Sequence, residues 1–246
     1  MIESDRKMQA HASGRRRAAR MLEAADALFC ASRAAAIVLG AAALCGERRL
    51  RGRPGRIVML RAHDRSGHVR FRELLRSAAV RMVEAGRVDG VESDDVLQAL
   101  EAPDVQALFL DGSFHPAAGE VFPLPHELIF AARERDRPVL VHAENAARAT
   151  AMLDAGADLV ATGVDDAAGI LAGSAPAIAR CGRLFTGIGA AMVAHRSGVE
   201  EALEALGHAT PKRVSPGPVP LGTIFWKAGH DGELAGPVER PVTFPF

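Results

Sequence analysis

Arg137-Pro138-Val139-Leu140-Val141-His142-Ala143-Glu144-Asn145, continuing as AARATAMLDAGADLVATG to Gly163, is the stretch from which the fold of this chain is read. An apolar run, an amphipathic segment, a glycine turn and a second apolar run follow one another, which is the pattern of a strand–helix–strand unit. Gly156, with Ala157 and Asp158 after it, reads as a left-handed helix C-cap leading into the next strand. The first strand ends in His142 and Glu144. In parallel α/β proteins, polar side chains just past the carboxyl end of a strand are where chemistry is usually placed.

Working outward, the same alternation recurs. On the N-terminal side, residues 1–14 read as a polar, flexible arm. Met21, Leu22, Ala25, Leu28 and Phe29 recur at helical spacing and predict an amphipathic helix over 17–32. Residues 36–39 are a short buried strand or the end of that helix. Residues 56–60 form a strand, and 70–86 a helix closed by Gly86. A short helix follows Ser93 to about Ala102, with Asp94 and Asp95 in its first turn. Residues 105–110 are a strand ending in Asp111-Gly112-Ser113, and 123–135 a helix.

Beyond the central unit (strand 139–143, helix 145–155, strand 158–162), Asp165 and Asp166 open a helix over 167–180. A strand over 183–186, a helix over 198–206 and a last strand within 221–226 complete the pattern. About seven strands alternating with helices imply parallel βαβ units and right-handed crossovers. The expected fold is α/β, a TIM-barrel-like parallel sheet, incomplete or irregular at its N-terminal end. Residues 15–228 form one barrel-like domain, and 229–246 a C-terminal tail.

Composition narrows the function classes. The chain of 246 residues is 48% hydrophobic and 24% charged, an ordinary balance for a globular protein with a sizeable core. Thirty basic and thirty acidic residues cancel, removing the electrostatic argument for nucleic acid or an anionic membrane as partner. Tyrosine is absent and aromatics are 4%, which disfavours stacking platforms for bases. Cys30, Cys45 and Cys181 are scattered and odd in number, as expected of buried reduced thiols. The longest apolar run, Ala34 to Cys45, is interrupted by Gly40 and is shorter than the roughly 20 residues of a membrane span. No export signal is visible, so the expectation is a cytoplasmic protein that acts on a small molecule, with a homo-oligomer as an option.

Several polar residues stand at predicted strand ends: His63 and Asp64, Asp111 and Ser113 with His115, His142 and Glu144, Thr162 with Asp165, and Thr186. Closing the sheet would gather them on one face, where histidines and carboxylates bind a metal ion or serve as acid and base. The HExxH, Walker A and CxxC patterns are missing, and no HxH ends a convincing strand. Gly187-Ile188-Gly189 is a candidate cradle for a phosphate.

The segment VLVHAENAARATAMLDAGADLVATG resembles strands 5 and 6 of the amidohydrolase superfamily, especially its imidazolonepropionase-like branch. The similarity extends to VQALFLDGS, PLPHELIFAARERDRP and GVDDAAGILAGSAPAIARCGRLFTGIGAAM, and covers roughly residues 103–195. It implies a hydrolase acting on a C–N bond, with a divalent metal such as zinc. His142 is the counterpart of the strand-5 metal ligand, and Asp111, Glu144 and Asp165 are the candidate catalytic groups. Thr162 stands where the family has its strand-6 histidine, Ala107 where many members have a lysine, and Ile224 near the place of the strand-8 aspartate, so the resemblance is to a degenerate site. The same unit is also similar to flavin- or phosphate-binding barrels of the nitronate monooxygenase type, which implies a ligand at Gly163 and Gly187–Gly189. A third reading is a catalytically inactive barrel serving as a binding or assembly subunit.

Overall fold

The computed structural model describes residues 14–30, 32–45, 54–61, 71–77, 79–87, 90–112, 122–164, 168–187, 190–191, 226–228 and 234–237. The strands form where short apolar runs are bounded by polar or glycine-bearing segments: β1 Asp26–Cys30, β2 Gly55–Leu60, β3 Val80–Ala85, β4 Ala107–Asp111, β5 Val139–His142, β6 Leu159–Val164 and β7 Ala168–Gly173. They make one seven-stranded sheet in the order β1-β7-β6-β5-β4-β2-β3. β3, β2, β4, β5 and β6 run parallel, whereas β7 is antiparallel to β6 and β1 antiparallel to β7. Three shorter strands, β8 Ala190–Ala191, β9 Trp226–Ala228 and β10 Leu234–Pro237, form a second sheet.

Helices cover both faces of the large sheet. These are α1 over 14–21, α2 Arg33–Leu44, α3 Phe71–Ser77, α4 Ser93–Glu101, α5 Pro125–Arg133, α6 Ala146–Asp154 and α7 Ala175–Gly187. Side chains alternate along each strand, so successive residues enter different cores. One core joins Val58, Leu108, Leu110, Val139, Val141 and Val160 to α1, α4, α5 and α6. The other joins Ile57, Met59, Ala107, Phe109, Leu140, Leu159 and Ala161 to α2, α3 and α7. Strands covered on both faces read as nearly continuous apolar runs, as β4 (ALFLD) and β5 (VLVH) do. Residues 35–44 of α2 are all buried.

The parallel TIM barrel expected from the alternation is not what forms. The sheet is open, with β1 and β3 as edges, and its helices form a layer on each side. Only residues 165–167 separate β6 from β7, too short a link for a parallel crossover, so the chain turns back as a hairpin. Local readings fail for related reasons. The helix expected over 17–32 ends by residue 21 and gives way to β1; the one over 70–86 stops at Ser77 and β3 follows. Residues 36–39 lie in the helix α2, the helix expected over 167–180 begins as β7, and residues 183–186 belong to α7. Residues 234–237, expected to be coil, form β10. The strands read at 56–60, 105–110, 139–143 and 158–162 are found as β2, β4, β5 and β6, and the helices at 93–102, 123–135 and 145–155 as α4, α5 and α6. The helix expected over 198–206 lies outside the described residues.

The topology also fixes where a ligand would sit. The chain leaves β2 toward β3 on one side and leaves β4 toward β5 on the other. In an open α/β sheet, the crevice beyond the carboxyl ends of two such strands is the ordinary ligand site. Among the described residues no helix is long and apolar enough to cross a membrane.

Candidate functional site

Asp111 ends β4, His142 ends β5, and the two are direct partners in the parallel register. Alternation points both toward the α2–α3–α7 face. Their side chains are 1% and 3% exposed, and His142 Nδ1 lies 2.9 Å from Asp111 Oδ1. Backbone contacts hold the pair in place. The Gly112 amide donates to the His142 carbonyl at 2.7 Å, and Arg148 Nε donates to the Gly112 carbonyl at 3.2 Å. A Cβ at Gly112 would stand 2.7 Å from that same His142 oxygen, so the closure needs glycine. Arg148 itself sits in the first turn of α6, whose N-cap Asn145 accepts from the Arg148 amide at 2.8 Å.

The other face of the imidazole meets residues far away in sequence. Arg33, the first residue of α2, places a terminal guanidinium nitrogen 3.3 Å from His142 Nε2, and its other terminal nitrogen donates to the Gly163 carbonyl at 2.8 Å. A guanidinium only donates, so Nε2 accepts and the ring proton sits on Nδ1, aimed at the Asp111 carboxylate. The result is a directed chain, Arg33 to His142 to Asp111, with a neutral imidazole at its centre. The Phe71 ring lies 5.6 Å from the imidazole at a 60° tilt, and 4.9 Å from the Phe109 ring. The pair is therefore walled by aromatic carbon and kept from water.

Arg33 reaches this point because the neighbouring strands are thin. Ser32 caps α2, its Oγ accepting from the Ala35 amide at 3.1 Å. The capped turn rests on β7 at Gly169, where a Cβ would stand 2.0 Å from the Ser32 carbonyl oxygen. Gly169 is paired across the hairpin with Gly163, whose φ of +132° suits glycine.

Of the residues singled out in the sequence, the structure brings His142 and Asp111 together. Glu144 follows β5 but is exposed, on the loop into α6. Asp165 lies outside the described residues, as do His63, Asp64, His68, Ser113, His115, Ile188 and Gly189; Gly187 ends α7. Thr162 is buried, but alternation along β6 turns it to the sheet face opposite His142. Among the described residues no group of three or more His, Cys, Asp or Glu side chains is arranged to hold a metal ion. Both ring nitrogens of His142 are engaged, one of them by a cation. Arg33, Phe71, Ser32 and Gly169 were missed; Ser-Arg directly before the alanine-rich run, as an N-cap signal, was the one local clue to two of them.

The open mixed sheet with helices on both faces is an architecture found in proteins of known structure. The chain is similar to a D-glucosaminate-6-phosphate ammonia-lyase, with 19% identity and a TM-score of 0.70, covering 87% of this chain and 61% of that one. It is similar to a methionine gamma lyase from Micromonospora echinospora, with 20% identity and a TM-score of 0.60, over 80% of this chain and 52% of the other. A pyridoxal-5'-phosphate-dependent protein from Escherichia coli, YhfS, matches at 15% identity and a TM-score of 0.54, over 75% and 49% of the two chains. The chain thus spans about half to three-fifths of the length of these neighbours. No family model matches it, and no curated protein does so by sequence.

These likenesses identify the fold as that of the pyridoxal-phosphate-dependent fold type I, and they overturn the amidohydrolase resemblance. The metal-dependent hydrolase, the flavin-binding barrel and the inactive barrel fall with it, because each presupposed a closed parallel barrel. The shared VLVHAEN–AGAD pattern is what any strand–helix–strand unit with a glycine C-cap produces.

Pyridoxal phosphate chemistry relies on a lysine that forms a Schiff base with the cofactor aldehyde and on an Asp or Arg at the ring nitrogen. Asp111 and Arg33 are groups of the second kind. Lysine is the misfit. The sequence contains Lys7, Lys212 and Lys227 and none between residues 8 and 211, the span that holds all seven strands of the large sheet. The covalent anchor is therefore not supplied by this unit.

Proposed function

We propose that the seven-stranded unit binds a pyridoxal-phosphate-type ligand beyond the carboxyl ends of β2 and β4, as part of a lyase- or transferase-class enzyme acting on a small amino-acid-like molecule. The observation that carries this reading is the buried Arg33–His142–Asp111 chain at the carboxyl ends of β4, β5 and β6, beside the switch point of a sheet whose fold is that of pyridoxal-phosphate-dependent proteins. A guanidinium is suited to phosphate or carboxylate, and a buried carboxylate to a protonated ring nitrogen. His142 and Asp111 are the residues to which we assign ligand contact or positioning; Glu144 and Asp165 carry no assigned role. We take the compartment to be a reducing one, the cytoplasm, a reading supported by three buried cysteines that are not in disulfides.

The test is a titration of the purified protein with pyridoxal phosphate, followed by absorbance and by quenching of the single tryptophan. Saturable binding is expected, weakened at least about tenfold in Asp111→Ala, which corresponds to about 1.4 kcal/mol. A cofactor spectrum unchanged at every protein concentration would sink the proposal.

A further inference from the structure

The fold implies one cofactor and the residues withhold its usual anchor, and that disagreement has a consequence for how the ligand is held. Resting on the reading above, we infer that this unit holds a pyridoxal-type ligand by non-covalent contacts alone, and so accepts the amine form, pyridoxamine phosphate, as readily as the aldehyde.

Anchoring the aldehyde to a protein means joining its carbon to a primary amine nitrogen as C=N, with the carbonyl oxygen leaving as water. Only an uncharged primary amine does this, and among side chains only lysine carries one. Three of the thirty basic residues are lysines, and none lies between residues 8 and 211. The cations of the large sheet unit are arginines, whose delocalised, permanently protonated guanidinium is not a nucleophile toward the aldehyde. Arg33 is the cation that stands at the polar cluster, and it is engaged with the Gly163 carbonyl and with His142. Lys227 lies on β9, in the small sheet.

Recognition without that bond falls on the rest of the ligand. Phosphate and ring nitrogen are the features common to the aldehyde and amine forms, and a guanidinium and a carboxylate recognise such groups by hydrogen bonding. The forms differ at one carbon substituent, whose covalent capture is what would otherwise favour the aldehyde.

The experiment titrates the full chain separately with pyridoxal phosphate and with pyridoxamine phosphate, then reduces the pyridoxal phosphate mixture with borohydride and maps labelled peptides by mass spectrometry. The expected result is binding of both forms with dissociation constants within about tenfold, a difference under about 1.4 kcal/mol, and no peptide labelled near one equivalent per chain. A stoichiometric reduced adduct on Lys7, Lys212, Lys227 or the N-terminal amine overturns the inference but leaves the proposed function standing. Aldehyde binding more than about a hundredfold tighter than amine binding overturns it as well. If neither form binds, both the inference and the proposed function fall.

Discussion

His142 sits between a cation and an anion, with its Nε2 facing Arg33 and its Nδ1 facing Asp111. The arrangement is self-consistent for a neutral ring alone, since an imidazolium would turn an N–H toward the guanidinium. Burial raises the stakes: a carboxylate 1% exposed keeps its charge only while it is well hydrogen-bonded. Hydrogen bonds to charged groups contribute about 1.5–3 kcal/mol. We therefore expect a double-mutant cycle of Asp111→Ala and His142→Ala, measured by urea unfolding, to give a coupling of about 1.5–3 kcal/mol, with His142→Ala alone strongly destabilising. Additive single effects would show that the contact contributes nothing beyond the packing of each side chain.

The elements that carry the site meet across β7, and glycine makes the meeting possible. Gly169 lies on β7 with the Ser32 carbonyl oxygen, the Ser32 carbonyl carbon and the Arg33 amide nitrogen at 2.0, 2.4 and 2.8 Å from where a Cβ would be. All three are backbone atoms, which cannot rotate away. Gly169→Ala is expected to destabilise the fold by about 1–3 kcal/mol as an overpacked position and to displace Arg33. A variant with wild-type thermal stability would show that the α2 turn does not bear on β7. Four of the five parallel strands are legible in the sequence, and β3, read as the end of a helix over 70–86, is not. β2, β4, β5 and β6 are covered on both faces and read as unbroken apolar runs. The antiparallel margin was not legible. In DALFC the apolar residues fit a helical period as well as a strand, and AGILAG is short and flanked by glycines. Three residues, Asp165-Asp166-Ala167, join β6 to β7, and their acidic pair reads as the opening of a helix. At the site, Asp111 and His142 were readable because strand ends are visible locally. Arg33 was not, because its contact with His142 spans 109 residues and is created by the edge pairing of β1 with β7.

At the scale of the whole molecule, closing the α2–α3–α7 core removes three thiols from water, Cys45 at the end of α2 among them. Cys30 on β1 and Cys181 on α7 are both fully covered. Burial raises the Cys181 thiol from 9.0 to about 12, against smaller lowering effects from its backbone hydrogen bond and from Arg180. Burial pushes Cys30 above the usual thiol range, with the nearby Cys181 adding to it. Both folded-state values exceed the unfolded one, so the unfolded chain releases protons first as pH rises. Stability is then fully present below about pH 9 and declines above it, each thiol contributing a slope of about 1.4 kcal/mol per pH unit. Few other groups titrate in this window, since the chain has no tyrosine, three lysines and one further cysteine, Cys45. Under reducing conditions, urea unfolding is expected to lose about 2 kcal/mol per thiol between about pH 8 and about pH 10.5. The loss should be smaller by about 2 kcal/mol in Cys181→Ala and by about twice that in the double variant with Cys30→Ala, whatever their stability at neutral pH. A wild-type stability that stays flat across this range would mean that these two thiols are reached by water in the folded chain, and that the core joining β1 to α7 is not closed.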